Sequence, residues 1–156
     1  MTTANVKPKT TVRVKISAEA ETHSKTLLKV RDLIDVSDEP EVRGGTNEGF
    51  APTEMALAAF TACTNVIGHK VANMHGVDIQ SFEIDADAAF NRLGVTLQEE
   101  VEVPFPEIIL TIRVTTSSDD EKLDLLKRDL PRFCPVGKVF EQSGSNIITN
   151  WVVTKT

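Results

Sequence analysis

The chain predicts an α+β fold. Three observations carry this: several separated stretches alternate apolar and polar residues, one long helical run fills the middle, and two shorter helical runs precede a last strand-like segment. The 156 residues suit a single domain, residues 1–156, with a sizeable core.

Residues 1–9 are polar and include a proline, which fits a frayed or pairing terminus. Residues 11–16 set Val12, Val14 and Ile16 against Arg13 and Lys15 and predict a half-buried strand. Residues 26–36 predict one or two more, with Leu27, Leu28, Leu33 and Ile34 as the apolar positions. Residues 37–52 hold Asp38, Pro40, Asn47 and three glycines, and so predict a long loop. Loops of that length in compact domains often serve function.

Pro52 suits the first turn of a helix, and Glu54 complements the positive end of its dipole. The helical pattern runs to about Met74. Ala56, Ala59, Phe60, Cys63, Ile67 and Val71 form one stripe, while Met55, Leu57, Ala58 and Ala62 make the other faces apolar too. A helix apolar nearly all round needs cover on most faces, so a partner subunit is expected. Gly76 ends this helix. Residues 79–90 alternate again, with Phe82, Ile84 and Ala86 against Glu83, Asp85 and Asp87. Residues 91–103 read as a connection, and residues 105–115 as an Ile- and Val-rich strand. Ser118 and Glu121 form a capping box that opens an amphipathic helix, which Pro131 is expected to stop after Leu130. Cys134 and Pro135 open a short last helix that closes near Gly144, and residues 146–153 form the last strand.

Composition narrows the function classes. The net charge of −6 leaves no basic surplus for nucleic acid or an anionic membrane. Aromatics at 5% are too few for base-stacking platforms. No apolar run approaches the roughly 20 residues of a spanning helix. The N-terminus has no apolar signal-peptide core, so a cytoplasmic location with reduced thiols is expected.

The chemistry rests on two cysteines. Cys63 lies mid-helix, where a lone cysteine is often a small core residue. Cys134 falls at a helix start, with Arg132 and Lys138 nearby, and by local physics it is the more acidic thiol. The sequence does not place the two sulfurs in bonding reach. His23, His69 and His75 lack paired-ligand spacing with the cysteines, so no metal is expected. Gly44, Gly45 and Gly49 are followed by no Lys-Ser/Thr and do not form a phosphate loop.

Taken in order, Asp38-Glu-Pro40, Gly44-Gly-Thr46 with Gly49, Pro52-Thr-Glu-Met with Cys63, Phe105-Pro-Glu-Ile-Ile-Leu and Cys134-Pro-Val136 resemble the OsmC/Ohr family of osmotically inducible and organic hydroperoxide resistance proteins. The resemblance implies an intertwined homodimer in which long cysteine-bearing helices cross at the centre between curved, mainly antiparallel sheets. It implies a thiol-dependent peroxidase that reduces organic hydroperoxides. Cys63 would be the peroxidatic thiol and Cys134 the resolving one, with no metal or bound cofactor. A dithiol reductant, lipoyl-type or a small thiol, would supply electrons. The family's active-site Glu falls on Thr53, one position before Glu54; Arg43, with Arg31 as the other candidate, would activate the thiolate. Glu54 precedes Cys63 by nine residues, about 13 Å along a helix, so it does not reach the sulfur of its own helix. The alternative is a non-catalytic ligand-binding or redox-sensing protein of the same fold.

Overall fold

The computed structural model describes residues 10–156; the polar terminus expected at residues 1–9 lies outside them. The described residues form two compact units, one ending at Met55 and the other starting at Ala56.

In the first unit, β1 (Ser17–Ala20), β2 (Thr26–Val30) and β3 (Leu33–Ser37) make an antiparallel sheet in that order. The strand expected at residues 11–16 does not form; pairing begins only at Ser17. Val12, Val14 and Ile16 are 75%, 75% and 66% exposed, so among the described residues their alternation finds little cover. Arg31 sits in the β2–β3 turn with φ of 56°.

The long loop after β3 is held by one carboxylate. Asp38 is fully buried and accepts from the Glu39 N–H at 2.9 Å, the Thr46 N–H at 2.8 Å, the Thr46 hydroxyl at 2.7 Å and the Glu48 N–H at 3.3 Å. The Thr46 hydroxyl leads these donors in holding the Asp38 carboxyl well below the usual carboxylate range. Helix α1 (Pro52–His75) begins at the end of this unit. Glu54 accepts from the Ala51 N–H at 2.9 Å, which ties the helix start as the second half of a capping box does.

The second unit carries the apolar core. Its sheet has the order β4 (Ser81–Ala89), β5 (Glu107–Thr116), β6 (Asn146–Lys155). β4 pairs antiparallel with β5, whereas β6 pairs parallel with it. A parallel neighbour needs a crossover, and α2 (Asp120–Phe133) with α3 (Pro135–Gln142) supplies it. Alternate β5 residues Ile108, Leu110, Ile112 and Val114 are buried. The first three split between two clusters. One joins Ile112 to Val71, Leu123 and Leu126; the other joins Ile108 and Leu110 to Phe60, Cys134 and Phe140.

The buried stripe of α1 is Phe60, Thr64, Gly68, Val71 and Ala72, shifted one residue from the expected set, so that Ala59 is exposed and Cys63 half-buried. Gly76, with φ of 65°, ends the helix in the left-handed conformation open to glycine. At the same end His75 Nε2 lies 2.8 Å from Asp129 of α2, whose carboxylate also takes Arg128 and Arg132.

Two expectations for α2 are corrected. Asp119, not Ser118, is the N-cap, and its carboxylate accepts from the Lys122 N–H at 2.9 Å. The Ser118 hydroxyl instead accepts from the Asp78 N–H at 2.8 Å. Pro131 does not stop the helix: it lies in the last turn, and the Cys134 N–H still reaches the Leu130 carbonyl at 3.1 Å. So close to the end the missing proline N–H removes one bond and no continuing ladder.

Candidate active site

The second unit brings the two cysteines together. Both thiols are free, Cys63 lies close enough to Cys134 to disfavour its thiolate, and both belong to the cluster built on Phe60, Leu110 and Phe140. Each arrives for a local reason. Cys63 is carried by α1 three residues after Phe60, so it borders the buried stripe and stays half-buried. Cys134 is held at the joint of two helices. It is the C-cap of α2 and the N-cap of α3, with Pro135 in the first turn that follows.

The capping geometry is the one the sequence implies: Cys134 Sγ accepts from the Gly137 N–H at 3.4 Å. The acidity it implied does not follow. Cys134 is 1% exposed, and burial pushes its thiol up from the ordinary value, ahead of the opposing Gly137 donor; the neighbouring Cys63 pushes it the same way. A single long bond to sulfur does not replace the water that a thiolate loses.

Two residues that the motif reading left out shape this corner. Thr64 is fully buried one position after Cys63; its hydroxyl donates to the Phe60 carbonyl at 2.9 Å and also faces Cys134. Gly137 sits in close packing: a Cβ there would stand 3.0 Å from the Phe60 ring and 3.4 Å from Cys134 Sγ, so the ring would have to give by a few tenths of an ångström. Phe60 in turn packs 5.4 Å from the Phe140 ring. The only sequence signal for Thr64 was its helical spacing from Phe60.

Arg43 and Glu54 lie together in the first unit. Arg43 Nε is 2.6 Å from Glu39 Oε2, and its Nη2 is 3.9 Å from Glu54 Oε1. All three are partly exposed, so the ladder is a modest electrostatic link. Arg31, in its turn, makes no ion pair among the described residues.

The fold is similar to that of known proteins. The chain resembles an OsmC-like protein from Mycoplasma pneumoniae, with 15% identity, 92% of this chain and 98% of that one covered, and a TM-score of 0.77. It resembles an organic hydroperoxide resistance protein from Elizabethkingia anophelis at 18% identity, covering 96% and 100%, with a TM-score of 0.64. The organic hydroperoxide resistance protein OhrB of Bacillus subtilis aligns at 20% identity over 92% and 98%, with a TM-score of 0.57. No curated protein matches the sequence significantly. The family model described as OsmC-like protein matches residues 45–150, which span α1, both cysteines and most of β6, and the chain belongs to that family.

Proposed function

We propose that this protein is a thiol-dependent peroxidase that reduces organic hydroperoxides through Cys63 and Cys134. The observation that carries the reading is that the two free thiols lie close together inside one apolar cluster. Structural neighbours named organic hydroperoxide resistance proteins support it.

The chemistry runs in three steps. The Cys63 thiolate attacks one peroxide oxygen, the O–O bond breaks, the alcohol leaves, and Cys63 becomes a sulfenic acid. Cys134 then attacks the Cys63 sulfur; a disulfide forms and water leaves. A dithiol returns both cysteines to thiols and is itself oxidised to a disulfide. Ile67 and Phe60 beside the cysteines favour an alkyl hydroperoxide over hydrogen peroxide, because the alkyl group gains from leaving water. The resemblance assigns Arg43 and Glu54 as charge partners of the thiolate. The two pair with one another at 3.9 Å in the first unit, and Glu54, which does not reach the Cys63 of its own helix, would act only across a dimer interface.

A homodimer belongs to the same reading. Val12, Val14, Ile16, Leu33 and Ile34 are all more than half exposed, and a cavity of about 410 Å³ lies among Ile16, Leu28, Val30, Leu33 and Ile34. A second copy would cover such a surface.

The deciding experiment is turnover of cumene hydroperoxide with a dithiol as electron donor. Cys63→Ser is expected to abolish consumption. Unchanged consumption overturns the reading and leaves a ligand-holding or redox-sensing protein of this fold.

A further inference from the structure

A second feature of the cysteine corner concerns how the disulfide is reopened. A cavity of about 360 Å³ lies beside Cys134, between α2, α3 and the start of β6. Phe60, Leu110, Leu130 and Ile147 form its apolar walls, and the exposed Glu141 and Thr149 stand at its rim. Cys134 lines it and Cys63 does not. We propose that this cavity is the port of the reductant: a neutral dithiol enters it and attacks the Cys134 sulfur of the oxidised protein. The proposal rests on the peroxidase reading and adds which sulfur is attacked, from where, and by what class of thiol.

Three arguments converge. The cavity is the open space adjoining Cys134, which is otherwise 1% exposed, and its volume lies within the range of small-molecule sites. The lining also sets the ligand's charge. Its one ionisable side chain besides the cysteine is Glu141, held by Lys138 at 2.8 Å, and no basic residue lines the cavity. An anionic thiol finds no counter-charge there, whereas an uncharged one with a hydrocarbon arm matches the walls. The third argument is the leaving group. Attack on Cys63 would expel Cys134 in the first, bimolecular step, into surroundings that disfavour its charge, whereas attack on Cys134 defers that release to the intramolecular ring closure. Attack on Cys134 expels Cys63, which is thereby returned as the thiolate that the next peroxide needs.

The electrons balance as follows. The first thiolate of the dithiol bonds to Cys134 Sγ, the Cys63–Cys134 bond breaks, and its electron pair stays on Cys63. The second thiol then attacks the reductant's own sulfur in the mixed disulfide. A cyclic disulfide leaves, and the Cys134 thiolate takes up a proton beside the Gly137 N–H. Ring closure is intramolecular, so a dithiol should outrun a monothiol of equal acidity.

The test starts from the disulfide formed chemically with diamide, so it does not depend on peroxidase activity. The oxidised protein is treated with 2-mercaptoethanol, quenched with iodoacetamide and mapped by mass spectrometry. The expected product carries the thiol adduct on Cys134 and the alkyl group on Cys63; the reverse pattern overturns the proposal. In a second arm, Thr149→Trp narrows the rim. Reduction by dithiothreitol is expected to slow about tenfold or more, while a rate within about twofold of the parent overturns the port. Should that variant fail to fold, the adduct map on the unaltered protein decides alone. If the map places the adduct on Cys134 but the reduced protein consumes no hydroperoxide, the peroxidase reading fails and the port stands.

Discussion

Asp38 in the first unit and Cys134 in the second are both buried acids, and burial pushes both upward, yet their pKa values move in opposite directions. Four donor contacts meet the Asp38 carboxylate, and its pKa is driven down. One long N–H contact meets the Cys134 sulfur, and its pKa is driven up. The difference teaches that burial alone does not set the sign; the number of donors aimed at the charged form does. It also separates the two units in kind. The first is pinned by a polar hub and leaves large apolar side chains exposed. The second is built on the apolar residues of β5 and its helices.

That contrast can be broken or sharpened by substitution. The largest effect on stability is expected in the second unit. Phe60 is 3% exposed and touches both the Cys134 corner and Phe140, so Phe60→Ala should cost about 3–5 kcal/mol in urea unfolding. A loss under about 1 kcal/mol would mean that the cysteine corner is not part of the core.

Next comes the hub. Asp38→Asn should lower the thermal midpoint by several degrees at pH 7, because the charge that gathers the donors is gone. The folded carboxyl lies below its unfolded value of about 3.9. Its contribution is therefore present above about pH 4 and lost as pH falls through the folded value. The gap between parent and variant should close in strong acid, and a gap independent of pH would remove the carboxylate from the account. Cys134 has the opposite sign. Its folded value is raised, so its contribution is complete below the unfolded thiol value of about 8.5 and fades as pH rises beyond it.

The smallest effect on the folded chain belongs to the apolar surface of the first unit. Ile34→Ser, at a position 66% exposed, should change urea unfolding of the monomer by no more than about 0.5 kcal/mol. It should nevertheless weaken self-association in sedimentation equilibrium. Undiminished association would move the dimer surface elsewhere.

Much of the fold was legible because each signal needed only its own segment. Phe82, Ile84 and Ala86 alternate within β4, and Pro52 and Gly76 bracket α1. The misreadings occurred where a second segment decides. Val12, Val14 and Ile16 have strand spacing and no neighbour to pair with among the described residues. Ser118 looked like a cap until Asp78 claimed its hydroxyl. At the site, the capping role of Cys134 was visible in Cys-Pro, but its acidity was not, because the Phe60 and Leu110 that surround it come from α1 and β5. The parallel β6 likewise follows from a crossover that no local pattern announces.

The shared position of Cys134 has one more result. Because the same residue closes one helix and begins the next, tying its sulfur to α1 pins the pivot about which those two helices would flex relative to each other. Oxidation should therefore stiffen a stretch of chain far longer than the bond itself, and reduction should release it, so that amide exchange along the C-terminal third would report the redox state.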